Sequence, residues 1–320
     1  MSKLAVVGAG AWGTALALQA MRVGHDVTLI ARDADTAAAI ANMRTNNRLP
    51  GHRLPDALEV GHDLRAGSDL ELWAVPTQHL RSSLLRLRPA GRGMVVCAKG
   101  LEAGTHLLPL EVVDEVLPGR SLAVLTGPNF AHEVASGLPT AAVVASMDAA
   151  LRERVRVMLG TSTFRLYGND DPISAQLGGA AKNVIAIAAG AVMGAGLGEN
   201  ARAALVTRGL SELRRLAIAL GGRAETVMGL SGLGDLLLTC TGLASRNFSM
   251  GYALGKGESL AEILAGRSGV TEGVLTAAAL VARASEVELP ICRSVAELVA
   301  GVKTLDQAIT QLLSRPQRDE

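Results

Sequence analysis

Lys182 stands in the stretch GGAAKNVIAIAAG (178–190), one cation among small and apolar neighbours at the start of an apolar helix, with Asn183 beside it. Burying an ammonium in such company is costly unless it is paired or has chemistry to perform. The plain alternative is a lysine that reaches back to water. The densest cluster of polar groups is SGLGDLLLTCTGLASRNFSMG (231–251). It sets Asp235 and Thr239 four apart, on one face of a helix. Ser245, Arg246 and Asn247 follow, and an arginine fork with hydrogen-bonding neighbours suits a phosphate. Asp235 also reads as an ordinary acid in a first helical turn. Two shorter stretches bring polar groups to strand ends: CAKGLE (97–102) with Lys99, and LTGPNFAHE (125–133) with Gly127, Pro128 and Asn129. The carboxyl edge of the strands is where α/β sheets bind ligands.

A second kind of chemistry is written in glycine. Gly8, Gly10 and Gly13 follow the apolar run LAVV and open a stretch rich in Ala and Leu. In that context the first glycine permits the tight turn, the second lets backbone approach a pyrophosphate, and the third lets helix and strand pack closely. The helix start then offers N–H groups to the phosphates. A plain strand–turn–helix link is the competing reading. The next strand ends LIARD, placing Arg32 where a 2′-phosphate would be welcomed and favouring NADPH over NADH; a solvated loop arginine is the alternative. Trp12 reads either as a cover over the cofactor or as packing.

These groups need a frame. The apolar runs at 4–8, 26–31, 70–75, 93–98, 122–127 and 141–146, with a weaker one at 164–168, read as strands. They are continuous rather than alternating, which suits a parallel sheet covered on both faces. Helical stretches such as Ala11–Val23 and 34–44 lie between them, so the first half reads as a doubly wound α/β domain. Beyond about residue 176 strand-like runs nearly vanish, and 180–194, 200–220, 234–240, 273–285, 291–300 and 304–313 read as helices. The expected division is a dinucleotide-binding domain over 1–176 and a helical substrate domain over 177–320, joined by one long helix.

Composition narrows the classes further. The chain has 320 residues, 49% hydrophobic and 19% charged, with a formal net charge of +1. That balance argues against a nucleic-acid partner or a membrane-surface patch. The run from Val184 to Gly198 is too short and glycine-rich for a membrane span and reads as a buried helix. Cys97, Cys240 and Cys292 are widely spaced, without a CxxC, as expected of free thiols in the cytoplasm. The six histidines show no ligand spacing, and no metal site is expected.

With these residues assembled, the chain resembles the bacterial NAD(P)-dependent glycerol-3-phosphate dehydrogenases nearly end to end. The resemblance is carried by GAGAWGTALA (8–17), NNRLPG (46–51), AVPTQ (74–78), AKGLE, GPNFAHEVA (127–135), LGGAAKNVIAIAAG (177–190), NARAALVTRGL (200–210), GLSGLGDLLLTC with SRN, and VTEGVLTA (270–277). It implies a Rossmann-type N-terminal domain, an all-helical C-terminal domain, and reversible reduction of dihydroxyacetone phosphate to sn-glycerol 3-phosphate for phospholipid synthesis. It implies that Lys182 is the catalytic lysine with Asn183 beside it, that Asp235 supports it, and that Thr239 is the hydroxyl four residues on. Lys99 would touch substrate and cofactor. Ser245, Arg246 and Asn247 would hold the substrate phosphate, with Gly127 and Asn129 as further substrate contacts. Ala11, Trp12, Arg32, Ala131, Arg246, Val270 and Glu272 would join the glycines in holding NADP or NAD. Asn129 departs from the family's usual Ser or Thr, and Arg48 from its usual aromatic. A related dehydrogenase of similar build, such as a ketopantoate reductase, is the alternative, although its substrates lack a phosphate. A cofactor-binding sensor without turnover is the rival from another class. A homodimer is compatible with the chain.

Overall fold

The computed structural model describes residues 1–89, 91, 93–266 and 272–314. The chain divides into two compact units, Met1–Lys99 with Leu107–Gln176, and Gly100–His106 with the chain from Leu177 onward.

Among the described residues the first unit has eight strands: β1 (Lys3–Val7), β2 (Asp26–Ile30), β3 (Glu59–Gly61), β4 (Leu70–Trp73), β5 (Met94–Val96), β6 (Leu122–Thr126), β7 (Thr140–Ala145) and β8 (Phe164–Asn169). They form one sheet in the order β3-β2-β1-β4-β5-β6-β7-β8. The continuous apolar runs have a direct cause. Leu4, Val6, Leu72 and Val95 face one core with helices α1 (Ala11–Val23) and α6 (Ala149–Leu159). Val7, Trp73, Met94 and Val96 face another with α3 (Thr77–Leu87) and α4 (Pro109–Val116). Alternate residues of each strand thus point into different cores.

Two features depart from the expected parallel sheet. β3 is an edge strand of only three residues, too short and too polar to stand out as an apolar run. β7 pairs with β6 antiparallel, and β8 follows β7. The link from β6 to β7 holds only α5 (Ala131–Ser136) and a turn at Gly137 (φ +74°), which sends the chain back rather than over the sheet.

The order reverses between β1 and β4, and both point their carboxyl ends at the first glycines. Gly8 has φ +108°, and a Cβ there would lie 2.7 Å from the Ala74 carbonyl oxygen. A Cβ on Gly13 would lie 1.9 Å from the Gly8 oxygen, whereas one on Gly10 would meet nothing within 4 Å. Turn and helix packing therefore require two of the glycines. The third leaves open space at a helix start that no side chain caps.

The second unit is helical. Helix α7 (Pro172–Gly194) begins in the first unit and runs into the second. It starts eight residues earlier than its apolar run suggested, because Asp171 accepts the Ser174 N–H at 3.0 Å and Pro172 takes the first helical position. By length and composition α7 could cross a bilayer, but 89% of its most apolar window is buried inside the protein. Next come α8 (Gly198–Ala219), α9 (Ala224–Val227), a π-helical turn at Leu230–Gly234, and α10 (Asp235–Cys240). Helices α11 (Arg246–Gly255), α12 (Leu260–Ala265), α13 (Glu272–Arg283), α14 (Pro290–Val299) and α15 (Leu305–Leu313) complete it. From α8, the buried Glu212 accepts the Ile291 and Cys292 N–H groups of α14 at 2.6 and 3.2 Å.

Two outcomes are expected. Gly8→Ala costs on the order of 1–3 kcal/mol from backbone strain alone, read as a lower urea midpoint, with dinucleotide binding lost in a fluorescence titration. Burial holds the Glu212 carboxyl above its ordinary value of 4.5. Its contribution is therefore full below that value and is lost as pH rises through the raised one. Urea midpoints followed from acid to neutral pH should lose this fall in Glu212→Gln; an unchanged slope contradicts the assignment.

Candidate active site

In the second unit the polar residues converge. Lys182 Nζ donates to Asp235 Oδ1 at 2.5 Å, and their side chains are 10% and 0% exposed. Lys182 is thus neither a snorkelling lysine nor at a helix start, since α7 begins ten residues before it. Asp235 opens α10, but its carboxylate is spent on the lysine rather than on solvent. Thr239 donates to the Asp235 carbonyl at 2.6 Å and lies 3.5 Å from Oδ1. Removing one member of a buried pair strands a charge, at a cost on the order of 3–5 kcal/mol, whereas well-packed apolar residues would serve the fold as well or better. Fold alone gives no reason for the pair. Cys240 lies beside it, pushed up to about 12 by burial against the opposing pull of Lys182, and so remains a thiol.

The neighbouring helix supplies the next layer. Asn247 donates to Asn183 Oδ1 at 2.8 Å and accepts the Gly273 N–H at 3.2 Å. Asn183 itself donates to the Gly179 carbonyl at 3.4 Å. Ser245 caps α11 by accepting the Phe248 N–H at 3.2 Å. Arg246 is the first residue of α11 and is exposed. Glu272 opens α13, and Val270 lies outside the described residues.

In the first unit Lys99, three residues past β5, donates to the Gly127 carbonyl at 3.1 Å. Gly127 has φ +139°, and a Cβ there would press on Ala142 Cα at 3.1 Å. Asn129 donates to the Pro128 and Ala141 carbonyls at 2.9 and 3.0 Å, and its buried Oδ1 has no hydrogen-bond partner among the described residues. The buried hydroxyls of Thr77 and Thr126 are in the same condition. Neither was singled out from the sequence, although Thr126 ends β6 just before Gly127, a position that the strand-edge rule points to. Ala131 opens α5, half-buried.

The glycine turn fits a dinucleotide on its own geometry. The backbone N–H groups at the start of α1, Ala11 and Trp12 among them, precede the first intrahelical bond, and open space lies over Gly10. Trp12 packs partly buried against the sheet core. Arg32 is 90% exposed just beyond β2, with Nε 3.0 Å from Asp33 Oδ2. Asp33 accepts the Thr36 N–H at 2.8 Å and caps α2 (Ala34–Met43). Those Thr36 bonds, aided by Arg32, hold its carboxyl down to about 2, so it stays ionised beside the arginine.

Comparison with known proteins agrees with both halves. The chain matches the NAD-dependent glycerol-3-phosphate dehydrogenase N-terminus family over residues 3–152 and the corresponding C-terminus family over residues 171–310. It is 54% identical over 321 residues to the NAD(P)+ glycerol-3-phosphate dehydrogenase of Acidiphilium cryptum, covering 99% of this chain and 98% of the relative. The crystal structure of glycerol-3-phosphate dehydrogenase from Coxiella burnetii superposes with a TM-score of 0.93 at 38% identity, covering 98% of this chain and 99% of that one. A ketopantoate reductase from Ralstonia eutropha shares the fold alone, with a TM-score of 0.58 at 22% identity over 96% and 99% of the two chains. Two family models that together cover most of the chain, and a relative 54% identical over nearly its full length, place the chain in the family of NAD(P)-dependent glycerol-3-phosphate dehydrogenases.

Proposed function

We propose that this oxidoreductase reversibly reduces dihydroxyacetone phosphate to sn-glycerol 3-phosphate, with Lys182 as the acid and base. The observation that carries this reading is the ammonium of Lys182 held on Asp235 inside a largely apolar helix core. A nicotinamide dinucleotide held on the turn at Gly8, Gly10 and Gly13 would supply or take the hydride at C2. Lys182 Nζ polarises the C2 carbonyl oxygen and gives its proton to the alkoxide as it forms; in oxidation the neutral amine takes the proton back. Asp235 aims the Nζ, and Thr239 fixes Asp235 through its backbone and carboxylate. Asn183 lines the same helix one residue on.

Arg246 holds the substrate phosphate as a two-pronged donor at the start of α11, where Ser245 keeps the helix capped. Alignment of C2 by both ends of the substrate converts binding into rate. Asn247, Gly127, Asn129 and Lys99 complete the substrate contacts in this reading. Gly8, Gly10 and Gly13 with Ala11 and Trp12 seat the pyrophosphate, and Ala131, Lys99, Arg246, Val270 and Glu272 contribute further to the cofactor. Arg32, exposed at the end of β2, takes a 2′-phosphate and makes NADPH the preferred donor. The three cysteines are free and buried, which supports a cytoplasmic setting. The near-neutral net charge of +1 supports a small substrate rather than nucleic acid. The product supplies phospholipid synthesis.

The test follows loss of NADPH absorbance with dihydroxyacetone phosphate beside a ketopantoate control. Oxidation with only the phosphorylated ketone is expected; oxidation with ketopantoate alone overturns the reading. Lys182→Ala should lower turnover on the order of 10²-fold or more, and near-normal turnover removes it as the acid/base. Arg32→Ala should erode the NADPH preference; an unaltered NADPH/NADH ratio of kcat/KM puts the 2′-phosphate elsewhere.

A further inference from the structure

Helix α7 carries Lys182 and Asn183, and the two segments that complete the site lie along it in matched register. Gly178 faces Ser231 and, one turn on, Lys182 faces Asp235, both pairs 53 residues apart. Asn183 faces Asn247, Ile187 faces Gly251 and Ala191 faces Gly255, all 64 residues apart. A constant separation over successive turns means that each segment runs beside α7 in the same direction. Lys182 and Arg246 therefore stand at the same height along two parallel helices.

The register is locked by backbone meeting backbone. A Cβ on Gly178 would lie 2.2 Å from the Ser231 carbonyl oxygen. One on Gly251 would lie 1.9 Å from the Ile187 oxygen, and one on Gly255 2.4 Å from the Ala191 oxygen. Glycines on α7 reciprocate: a Cβ on Gly190 would stand 2.0 Å from the Phe248 oxygen and one on Gly194 2.2 Å from the Tyr252 oxygen. At none of these positions is there room for a methyl group, and close-packed backbone has no flexible end to yield.

We infer that α7 is a spacer with two separate glycine seats, and that its glycines are positioning residues for the reaction. The seat at Gly178, one turn before both Lys182 and Asp235, sets the acid/base pair. The seat at Gly251, one turn past Asn247, sets the distance from Lys182 to Arg246. It thereby selects ketones whose phosphate ester is on the carbon next to the carbonyl. The inference rests on the proposed roles of Lys182 and Arg246.

The experiment compares dihydroxyacetone phosphate with unphosphorylated dihydroxyacetone in the full-length enzyme, using NADPH. Gly251→Ala should lower kcat/KM for the phosphorylated ketone about tenfold or more, while the unphosphorylated one stays within about threefold, because only the former needs both ends aligned. Gly255→Ala, at the far end of α11, should do the same to a smaller degree, and it decides the matter alone if Gly251→Ala does not fold. Gly178→Ala should lower kcat for both ketones by one common factor and alter the pH profile of kcat. Equal losses on both ketones from the α11 variants, or none, overturn the seat. A changed discrimination from Gly178→Ala overturns the separation of the two seats. A wild-type enzyme that ignores the phosphate overturns the proposed function itself, and the spacer with it.

Discussion

The helical unit depends on one buried contact, the Lys182–Asp235 pair. A charge on α7 and a charge at the head of α10 must meet at 2.5 Å where water cannot relieve a miss. Much else in that unit is arranged around this requirement. Asp235 is preceded by a π-helical turn rather than a loop. Thr239 ties the carboxylate to its own helix, and Cys240 fills the adjacent space without a charge. Helix α7 itself is nearly all small or branched apolar residues, so its neighbours can approach from several sides and the lysine is its one ionic side chain in the buried stretch.

The sheet unit meets a different demand. A dinucleotide is long and carries its charge in the middle, so the protein needs bare backbone at one point and side chains elsewhere. The reversal of strand order between β1 and β4 offers such a point, and the start of α1 has N–H groups that no side chain caps. Polar groups gather instead at the ends of β5 and β6, where Lys99 is tied to Gly127 and Asn129 is tied to Ala141 of β7.

Much of this was legible in the chain, for physical reasons that can be named. Strands buried on both faces leave continuous apolar runs, so seven of the eight strands stand out and only Glu59–Gly61 does not. The start of α7 is signalled by an aspartate followed by proline at 171 and 172, not by its apolar run, which begins eight residues later. Lys182 and Asp235 were each conspicuous. That they meet is implied by the family resemblance and not by any local signal, because nothing nearby in the chain records a partner 53 residues away. Nothing nearby records the contacts that Asn247 makes with Asn183 and Gly273 either. The antiparallel turn to β7 was hidden as well, since strand direction depends on the path of a connection and not on the strand's composition.

The three opening glycines are held by different authorities, and this bears on how such a sequence ages. Gly8 and Gly13 are fixed by the chain itself: one by its left-handed turn against Ala74, the other by the carbonyl of the first. Gly10 faces open space, and nothing in the chain itself forbids it a side chain. A descendant that kept the fold but abandoned its dinucleotide would be free to drift at position 10 while remaining frozen at 8 and 13. Within this lineage, loss of the middle glycine alone is the mark to look for in a copy that has given up redox work and kept its architecture.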